Sequence, residues 1–181
     1  MSKLPKTRKD IVLIGRGAFT KAYLTDDSKV LLDSVCPIKE CMANGWFPDS
    51  DLFPEIEHLD EYNVGYRTYI MPYYEKVTNP SKQLDPDQHA IYKELREIGH
   101  AQINLSICKS TLYFFDFWHK EFNKIKNQDL RDIMKEALDA CGNYGTDIMF
   151  EISPRNIAVK KGKLVLLDCF ASVRVLKDIR G

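Results

Sequence analysis

The chain is organised around residues 151–168, which read EISPRNIAVKKGKLVLLD. Two short apolar runs, Ile157–Val159 and Leu164–Leu167, flank a polar segment whose glycine is typical of a tight turn. This pattern predicts a β-hairpin. An antiparallel hairpin places the residue before its first strand beside the residue after its second. We therefore expect Asn156 and Asp168 to be neighbours.

The residues at this end of the predicted hairpin carry oxygen atoms suited to a hard cation. An amide oxygen and a carboxylate are ligands that Mg²⁺ or Mn²⁺ accepts in proteins. Asn156 and Asp168 are thus a candidate metal pair, and a further carboxylate, Glu151, precedes Asn156 on the incoming loop. The alternative at this point is a structural hairpin with acidic flanks, which is common in α+β proteins.

The spacing of these residues resembles that of protein kinases. Kinases carry Asp-x-x-x-x-Asn on a catalytic loop, then a hairpin, then the Asp of Asp-Phe-Gly. Here the order is Glu151, Asn156, the hairpin and Asp168-Cys169-Phe170, with Pro154 where kinases also have a proline. The resemblance implies that Glu151, Asn156 and Asp168 are catalytic residues. Glu151 would accept a hydroxyl proton, and Asn156 and Asp168 would hold Mg²⁺.

A second part of the resemblance lies near the N terminus, where two apolar runs flank a glycine loop. The glycines follow the pattern Gly15-x-Gly17-x-Phe19, and a short strand is predicted at Ala22–Leu24. A Rossmann fingerprint would need a helix after the glycines and a third glycine, and the sequence predicts neither. In a kinase this loop is a hairpin that lies over phosphates. The resemblance therefore implies that Gly15, Gly17 and Phe19 cover ATP, with Phe19 at the tip.

The lysine that holds the α- and β-phosphates in kinases is missing from its usual place. The third predicted strand, Val30–Leu32, has Leu32 at the corresponding position. Two substitutes are open. Lys39 is not far from the usual distance after the glycines, and Lys29 begins the strand.

A short helix is predicted at residues 37–44, with Pro37 in its first turn and Gly45 just past its end. The resemblance implies that Glu40 on this helix is the carboxylate that pairs with the phosphate-holding lysine. The alternative is that Lys39 and Glu40 form a solvent-exposed pair.

Two further strands, at Ile56–Leu59 and Tyr66–Met71, would complete a five-stranded sheet. Residues 71–75 then fall where a kinase hinge runs. The resemblance implies that Met71 and Tyr73 contribute to the adenine site.

The remaining sequence is predominantly helical. Residues 85–99 and 130–141 have the apolar spacing of helices, and an aromatic-rich stretch at 114–122 is expected to pack between helices. The predicted organisation is one kinase-like domain, residues 1–181. Its small lobe covers residues 10–76 and its truncated large lobe residues 77–181.

Composition narrows the class of protein. The formal net charge is zero, which disfavours bulk electrostatic binding of nucleic acid. The five cysteines lack a Cys-x-x-Cys pair, so we expect buried thiols in a reducing compartment and no zinc or disulfide framework. No apolar run is long enough to span a membrane, and residues 1–10 do not have the pattern of a signal peptide. A cytosolic protein is expected.

The order of elements is similar to that of the short kinase-like proteins of tailed bacteriophages. The resemblance implies an α+β, minimal two-lobed kinase-like fold. An N-terminal five-stranded antiparallel sheet with one helix would be followed by a mostly helical lobe, truncated after the Asp-Phe-Gly-like motif. It also implies ATP and Mg²⁺ as cofactors, a phage gene, a host protein as substrate or binding partner, and a location in the host cytoplasm.

Two functions follow from this resemblance. The first is a minimal protein kinase that transfers the γ-phosphoryl group of ATP to a Ser or Thr hydroxyl. The second is a catalytically inactive pseudokinase that acts as a binding or regulatory module. Glu151 in place of Asp and the missing lysine at Leu32 favour the second, whereas the Asn156 and Asp168 pair favours the first. A small-molecule phosphotransferase is less favoured, because the predicted substrate region is small.

Overall fold

The computed structural model describes residues 11–63, 65–101 and 112–180. Cys108 and residues 1–10, which enter the predictions on thiols and on signal peptides, lie outside these ranges. Within them the fold is mixed α+β, as predicted. None of the helices in the described ranges is long and apolar enough to cross a bilayer.

An antiparallel sheet forms the N-terminal part of the fold. Its strands are β1 Val12–Arg16, β2 Thr20–Leu24, β3 Lys29–Ser34, β4 Glu57–Asn63 and β5 Tyr66–Pro72. The spatial order is β1-β2-β3-β5-β4. The predicted five-stranded sheet is therefore confirmed. β3 is central and carries the buried residues Val30, Leu32 and Ser34, whose alternate spacing puts them on one face.

The predicted short helix is present as α1, Pro37–Ala43. Pro37 suits the first helical position because that residue's backbone N–H has no partner within a helix. Gly45 follows the helix with φ +70°, a left-handed conformation that glycine adopts readily. Ile38 and Cys41 are buried, so α1 packs one face onto the core.

The hairpin predicted around residues 157–167 is confirmed. Its strands are β8 Ile157–Lys160 and β9 Lys163–Leu166. Lys161 and Gly162, the two loop residues, both have positive φ, as the favoured two-residue hairpin turn requires.

Three short strands were not predicted. β6, Glu75–Lys76, extends the hairpin into a three-stranded sheet by pairing with β8. β7, Ile148–Phe150, and β10, Phe170–Ser172, pair with each other on either side of the hairpin. Strands of two or three residues are too short to show a period-two pattern, which is why the sequence did not reveal them.

The rest of the described chain is mainly helical. The helices are α2 Pro80–Gln83, α3 Pro86–Gly99, α4 Leu112–Phe122, α5 Gln128–Cys141 and α6 Val173–Arg180, with a 3-10 turn at Gly142–Tyr144. The predicted helices at residues 85–99 and 130–141 are confirmed as α3 and α5. Neither α2 nor α6 was predicted. The start of α6 is held by Asp147, whose carboxylate accepts hydrogen bonds from the Ser172 hydroxyl at 3.1 Å and the Arg174 backbone N–H at 2.6 Å.

An aromatic cluster lies at the centre of the helical part. Phe150 of β7 contacts three rings edge-on or tilted, with centroid distances of 5.0 to 5.6 Å. Those rings belong to Trp118, Phe122 and Phe170, each almost completely buried. The buried rings of α4 thus pack against the two short strands β7 and β10, which the prediction of packing between helices did not include.

The hairpin turn is also the place where α3 is anchored. The backbone N–H of Asp85 donates to the Gly162 carbonyl at 2.9 Å, and the Gln88 side chain accepts from the Leu164 N–H at 3.1 Å. A Cβ atom at Gly162 would lie 2.5 Å from a carboxylate oxygen of Asp85. The positive φ of Gly162 favours glycine, and a methyl group there would also displace the exposed Asp85 carboxylate at the start of α3.

We predict that Gly162→Ala destabilises the fold by about 2–3 kcal/mol, because a positive φ is strained for alanine and the added methyl meets Asp85. Gly45→Ala is the matched control. It has a similar φ of +70° and no atom within 4 Å of the added Cβ, so only about 1 kcal/mol should be lost. Urea unfolding followed by circular dichroism measures both. Equal losses of unfolding free energy in Gly162→Ala and Gly45→Ala would contradict the clash with Asp85. It would also be contradicted if adding Asp85→Ala to Gly162→Ala restored no stability.

Candidate functional site

The backbone locks Asn156 and Asp168 together at one end of the hairpin. The Asn156 carbonyl accepts hydrogen bonds from the N–H groups of Leu167 at 2.8 Å and of Asp168 at 3.2 Å. The Asn156 N–H in turn donates to the Ser153 carbonyl at 2.9 Å. The two residues are therefore neighbours, as the hairpin geometry predicted. Asn156 and Asp168 are both half-buried.

Lys39 lies directly beside this pair. Its Nζ is 3.5 Å from Oδ1 of Asp168 and also donates a hydrogen bond to the Leu167 carbonyl. The Lys39 side chain is only 5% exposed, against 31% for Asp168. An exposed pair of Lys39 with Glu40 is therefore the wrong interpretation. The long aliphatic stem of Lys39 is buried and its charged end is held at the candidate site.

Glu40 is directed away from the site, so the prediction that it pairs with the lysine is wrong. Adjacent helical residues point about 100° apart, because a turn holds 3.6 residues. With Lys39 turned toward Asp168, Glu40 faces β5. There its carboxylate forms an ion pair with Arg67 and accepts a hydrogen bond from the Tyr69 hydroxyl at 2.9 Å. Glu40 thus anchors α1 to the sheet rather than serving the site.

Lys29, the other candidate for the phosphate-holding lysine, lies away from Asp168. Lys29 is at the start of β3, more than half exposed, with its Nζ 3.6 Å from Asp27 in the adjacent turn. Leu32, where a kinase would have its lysine, is 3% exposed and packs in the apolar core. Of the lysines considered from the sequence, the structure brings Lys39 to Asp168.

The glycine loop is a tight hairpin between β1 and β2. The Gly17 N–H donates to the Thr20 carbonyl at 2.8 Å, and the register shifts between Leu13 and Gly15. A Cβ at Gly17 would have its nearest neighbour at 3.8 Å, and one at Gly15 at 3.7 Å. Packing among residues 11–63, 65–101 and 112–180 therefore does not demand glycine at either position.

Phe19 is not at the exposed tip of this loop, contrary to expectation. It is 7% exposed and belongs to the apolar core, and its carbonyl accepts the Val35 N–H at 3.0 Å. Phe19 lies directly before β2 and its side chain is buried, so the exposed residues at the turn are Arg16, Gly17 and Ala18.

The predicted hinge runs between β5 and β6. Met71 is 8% exposed and opposite Val30 of β3, while Tyr73 is 49% exposed in the connection. The backbone N–H of Glu55 donates to the Tyr74 hydroxyl at 3.1 Å, which fixes the segment from the other side. Among these residues Tyr73 has a side chain open to solvent, whereas Met71 contributes a buried wall.

Glu151 lies on the loop between β7 and β8. Its backbone N–H donates to the Cys169 carbonyl at 2.9 Å, so its main chain is tied to the residue after Asp168. The Glu151 side chain is exposed. Burial and the nearby charges of Asp168 and Glu151 raise the pKa of the Cys169 thiol.

The thiols beside the site are not available as nucleophiles. Burial and the Asp168 charge raise the pKa of Cys36 to about 12. Cys169 is affected in the same direction, and both side chains are buried. A protonated thiol is a poor nucleophile and a poor metal ligand. The chemistry of the site therefore belongs to its carboxylates, its amide and Lys39.

Asn156 and Asp168 offer a metal ion only a small set of oxygen ligands. The described residues contain no group of three or more His, Cys, Asp and Glu side chains placed to hold a metal ion. Mg²⁺, however, is commonly bound by one or two protein ligands together with substrate phosphates and water. Asn156 and Asp168 fit that mode, in which the cation arrives with the nucleotide, and they do not fit a permanent metal cage.

Neither models of known protein families nor curated proteins match this chain. At this site the buried Lys39 cation meets the Asp168 carboxylate, Asn156 is bonded to Asp168 through the backbone, and Glu151 is exposed on the adjoining loop. Such a set can bind a polyanion through Lys39 and a divalent cation through Asp168, and it can accept a proton at Glu151.

Sequence reasoning missed the pairing of Glu40 with Arg67 and Tyr69. The sequence contained only part of the information needed to predict this pairing. Arg67 and Tyr69 alternate along β5 and so share a face, but which helix residue meets that face depends on the rotation of α1. That rotation is fixed by packing and is not encoded in the spacing.

The Glu40 carboxylate gives a pH-dependent prediction. Burial raises its pKa, but the hydrogen bonds from Arg67 and Tyr69 dominate and hold that pKa below the ordinary 4.5. A lowered pKa in the folded state stabilises the fold above the unfolded-state pKa, and this stabilisation is lost as the pH falls through the folded-state value. The advantage of the wild type over Glu40→Gln should be constant near neutral pH and shrink below pH 4.5.

Urea unfolding of the wild type and of Glu40→Gln across this pH range measures the difference in free energy of unfolding. Glu57→Gln on β4 removes an exposed carboxylate and controls for the change in net charge. The same shrinkage in both variants would show that the effect is not specific to the pairing of Glu40.

Proposed function

We propose that the chain is a minimal kinase-like phosphotransferase that moves the γ-phosphoryl group of ATP to a Ser or Thr hydroxyl of a protein. The observation that carries this proposal is the convergence of Lys39 and Asp168, with Nζ and Oδ1 3.5 Å apart, from opposite ends of the sequence. Mg²⁺-bound ATP needs both a fixed cation for its phosphates and a carboxylate for its metal. This pair would supply both.

The position of Lys39 supports a role in which it replaces the missing lysine of β3. A charged group that is 5% exposed is costly to bury and persists where it has a partner. In this structure Lys39 forms an ion pair with Asp168 and donates a hydrogen bond to the Leu167 carbonyl. Phosphate oxygens entering beside Asp168 would offer Lys39 a stronger charge-assisted contact. When bound, Mg²⁺ would screen the charge between the phosphates and Asp168.

The glycine loop supports the same proposal. Because contacts among the described residues do not require glycine at Gly15 or Gly17, a ligand that approaches the backbone would account for the lack of side chains there. Met71 and Tyr73 would then border the adenine. With Phe19 turned into the core, the phosphates would be covered by backbone at Gly17 and Ala18.

Glu151 would act as the base. In the transfer step the acceptor oxygen bonds to the γ-phosphorus, the bond to the β–γ bridging oxygen breaks and ADP leaves. Glu151 takes the hydroxyl proton. Its side chain is one methylene longer than the aspartate of kinases, and a misplacement of about 1 Å can reduce a rate on the order of 100-fold. We therefore expect slow transfer. Where the chain is encoded by a phage, the acceptor would be a host protein in the host cytoplasm.

A pseudokinase is the second candidate, and one observation favours it. Lys39 already neutralises Asp168 within the chain, so the candidate metal ligand is engaged before any ligand arrives. In this alternative Lys39 takes the place of the metal ion and keeps the site closed. The protein would then act through binding a partner.

Substitution of Lys39 separates the two candidates. If Lys39 holds phosphates, Lys39→Met should weaken Mg²⁺-ATP binding on the order of 10-fold or more, since it removes a charge-assisted contact. If Lys39 instead blocks the metal site, the same substitution should increase binding of Mn²⁺ without nucleotide. Isothermal titration calorimetry with Mg²⁺-ATP and with Mn²⁺ alone measures both. Lys29→Met, which removes an exposed lysine, is the matched control.

Nucleotide binding itself has a direct test. ATP with Mg²⁺ at about 100 times its dissociation constant should stabilise the native state by about 2.7 kcal/mol and raise the melting temperature. ATP with a chelator should do less, and Asp168→Asn should remove the dependence on Mg²⁺. No shift with millimolar Mg²⁺-ATP would eliminate the phosphotransferase and leave the pseudokinase.

The role of Glu151 is tested by transfer rather than by binding. Glu151→Gln keeps the shape and removes the base, so transfer of labelled γ-phosphate should fall by about 100-fold or more while Mg²⁺-ATP binding is unchanged. Glu151→Asp should retain or raise the rate. Measurable wild-type transfer that is indifferent to Glu151→Gln would place the base elsewhere on the chain.

A further inference from the structure

An open groove of about 640 Å³ lies along α3, beside the loop that carries the candidate base. One wall is α3 itself, and the other is formed by residues 79–81 at the start of α2 and by Pro154. Pro154 stands between Glu151 and Asn156 in the chain. The groove and the candidate catalytic loop therefore share a boundary.

The groove is lined by a stripe of basic side chains. His89, Lys93, Arg96 and His100 all face it from the direction of α3. Their spacing of four, three and four residues follows the helical repeat, so they lie one above another on a single face. Among the described residues, Lys93 and Arg96 form no ion pair with an acidic side chain. Glu97 is the acidic member of the lining.

Tyr92 lies beneath this stripe and contacts two of its basic side chains, His89 and Arg96. It is 3% exposed, and its hydroxyl accepts a hydrogen bond of 3.4 Å from the Arg96 guanidinium. The Arg96 guanidinium carbon is 6.0 Å from the Tyr92 ring centroid, and the His89 ring stacks on the same ring at 6.2 Å. Two of the four basic groups are thus pre-positioned by a buried aromatic ring, which lowers the entropy lost when they bind an anion.

We propose that this groove binds an extended, acidic peptide segment of a partner protein. Cations that have no acidic partner among the described residues attract carboxylates on a concave surface, and the facing wall of residues 79–81 and Pro154 adds no charge. The proposal goes beyond phosphotransfer and stands without it, because a kinase and a pseudokinase would each need to hold a protein partner. In a kinase, the bound segment would be delivered next to Glu151.

The chemistry of the groove favours a peptide over nucleic acid. Single-stranded nucleic acid is held by exposed aromatic platforms, whereas Tyr92 is buried beneath His89 and Arg96. A duplex would need a basic face much larger than one helix, and the whole chain has a formal net charge of zero.

The length of the stripe sets the size of the ligand. From His89 to His100 the helix rises about 16 Å at about 1.5 Å per residue. An extended peptide covers that distance with about five residues, and its alternate side chains repeat about every 6.6 Å. Two or three acidic side chains at alternate positions therefore match the basic groups along α3.

The probe is a fluorescein-labelled octapeptide of alternating glutamate and alanine, with glutamine replacing glutamate in a control peptide. Fluorescence anisotropy without nucleotide should show binding of the glutamate peptide and at least about tenfold weaker binding of the glutamine peptide. Lys93→Glu should weaken binding about tenfold or more, and Glu97→Gln should strengthen it about threefold. Lys120→Glu, an exposed lysine on α4, changes the net charge equally and should have little effect.

Raising NaCl from about 0.1 M to about 1 M should release the peptide, because the screening length falls from about 10 Å to about 3 Å. Glu97→Gln keeps the test decisive if Lys93→Glu fails to fold. Equal binding of both peptides, or equal losses in Lys93→Glu and Lys120→Glu, would overturn the proposal. An eight-nucleotide oligouridine that binds more tightly than the peptide, with the same dependence on Lys93, would overturn it in favour of nucleic acid. None of these measurements depends on ATP.

Discussion

The candidate site depends on the pairing of β7 with β10 across the base of the hairpin. Phe150 is opposite Phe170 in the register, and both rings are buried in the aromatic cluster. This pairing closes the chain around residues 151–168, because the Glu151 N–H then meets the Cys169 carbonyl at 2.9 Å. The loop that enters the hairpin and the turn that leaves it are thereby fixed to one another. Glu151, Asn156 and Asp168 are held by hydrogen bonds of the backbone.

Lys39 connects this frame to the N-terminal sheet through a buried charge. Removing an ammonium group from water is unfavourable unless a partner compensates it. The partners are Asp168 and the Leu167 carbonyl, both at the end of the hairpin. On the opposite side α1 is fixed by Glu40 to Arg67 and Tyr69 of β5. A ligand that separated Lys39 from Asp168 would therefore break the contact between α1 and the hairpin. Binding of such a ligand could then shift α1.

The same hairpin positions the basic groove. Its turn meets Asp85 at the start of α3, and the Leu164 N–H donates to Gln88 one turn later. The helix that carries Lys93 and Arg96 is thus fixed to the element that carries Asn156 and Asp168. The groove along α3 and the site at Asn156 and Asp168 are both attached to this hairpin. The proposed partner segment and the proposed nucleotide would therefore each lie at a fixed distance from Glu151.

The sequence by itself determined the elements whose signals are local. The glycine turn of the hairpin, Pro37 and Gly45 around α1, and the apolar periods of α3 and α5 each depend on neighbouring residues, and all are confirmed. Only the tertiary structure decided which side chains meet. It turned Phe19 into the core, directed Glu40 to Arg67, and brought Lys39 to a carboxylate far away in the chain. The physical reason is that spacing fixes which residues share a face, whereas the rotation and docking of each element follow from burial of the whole apolar core.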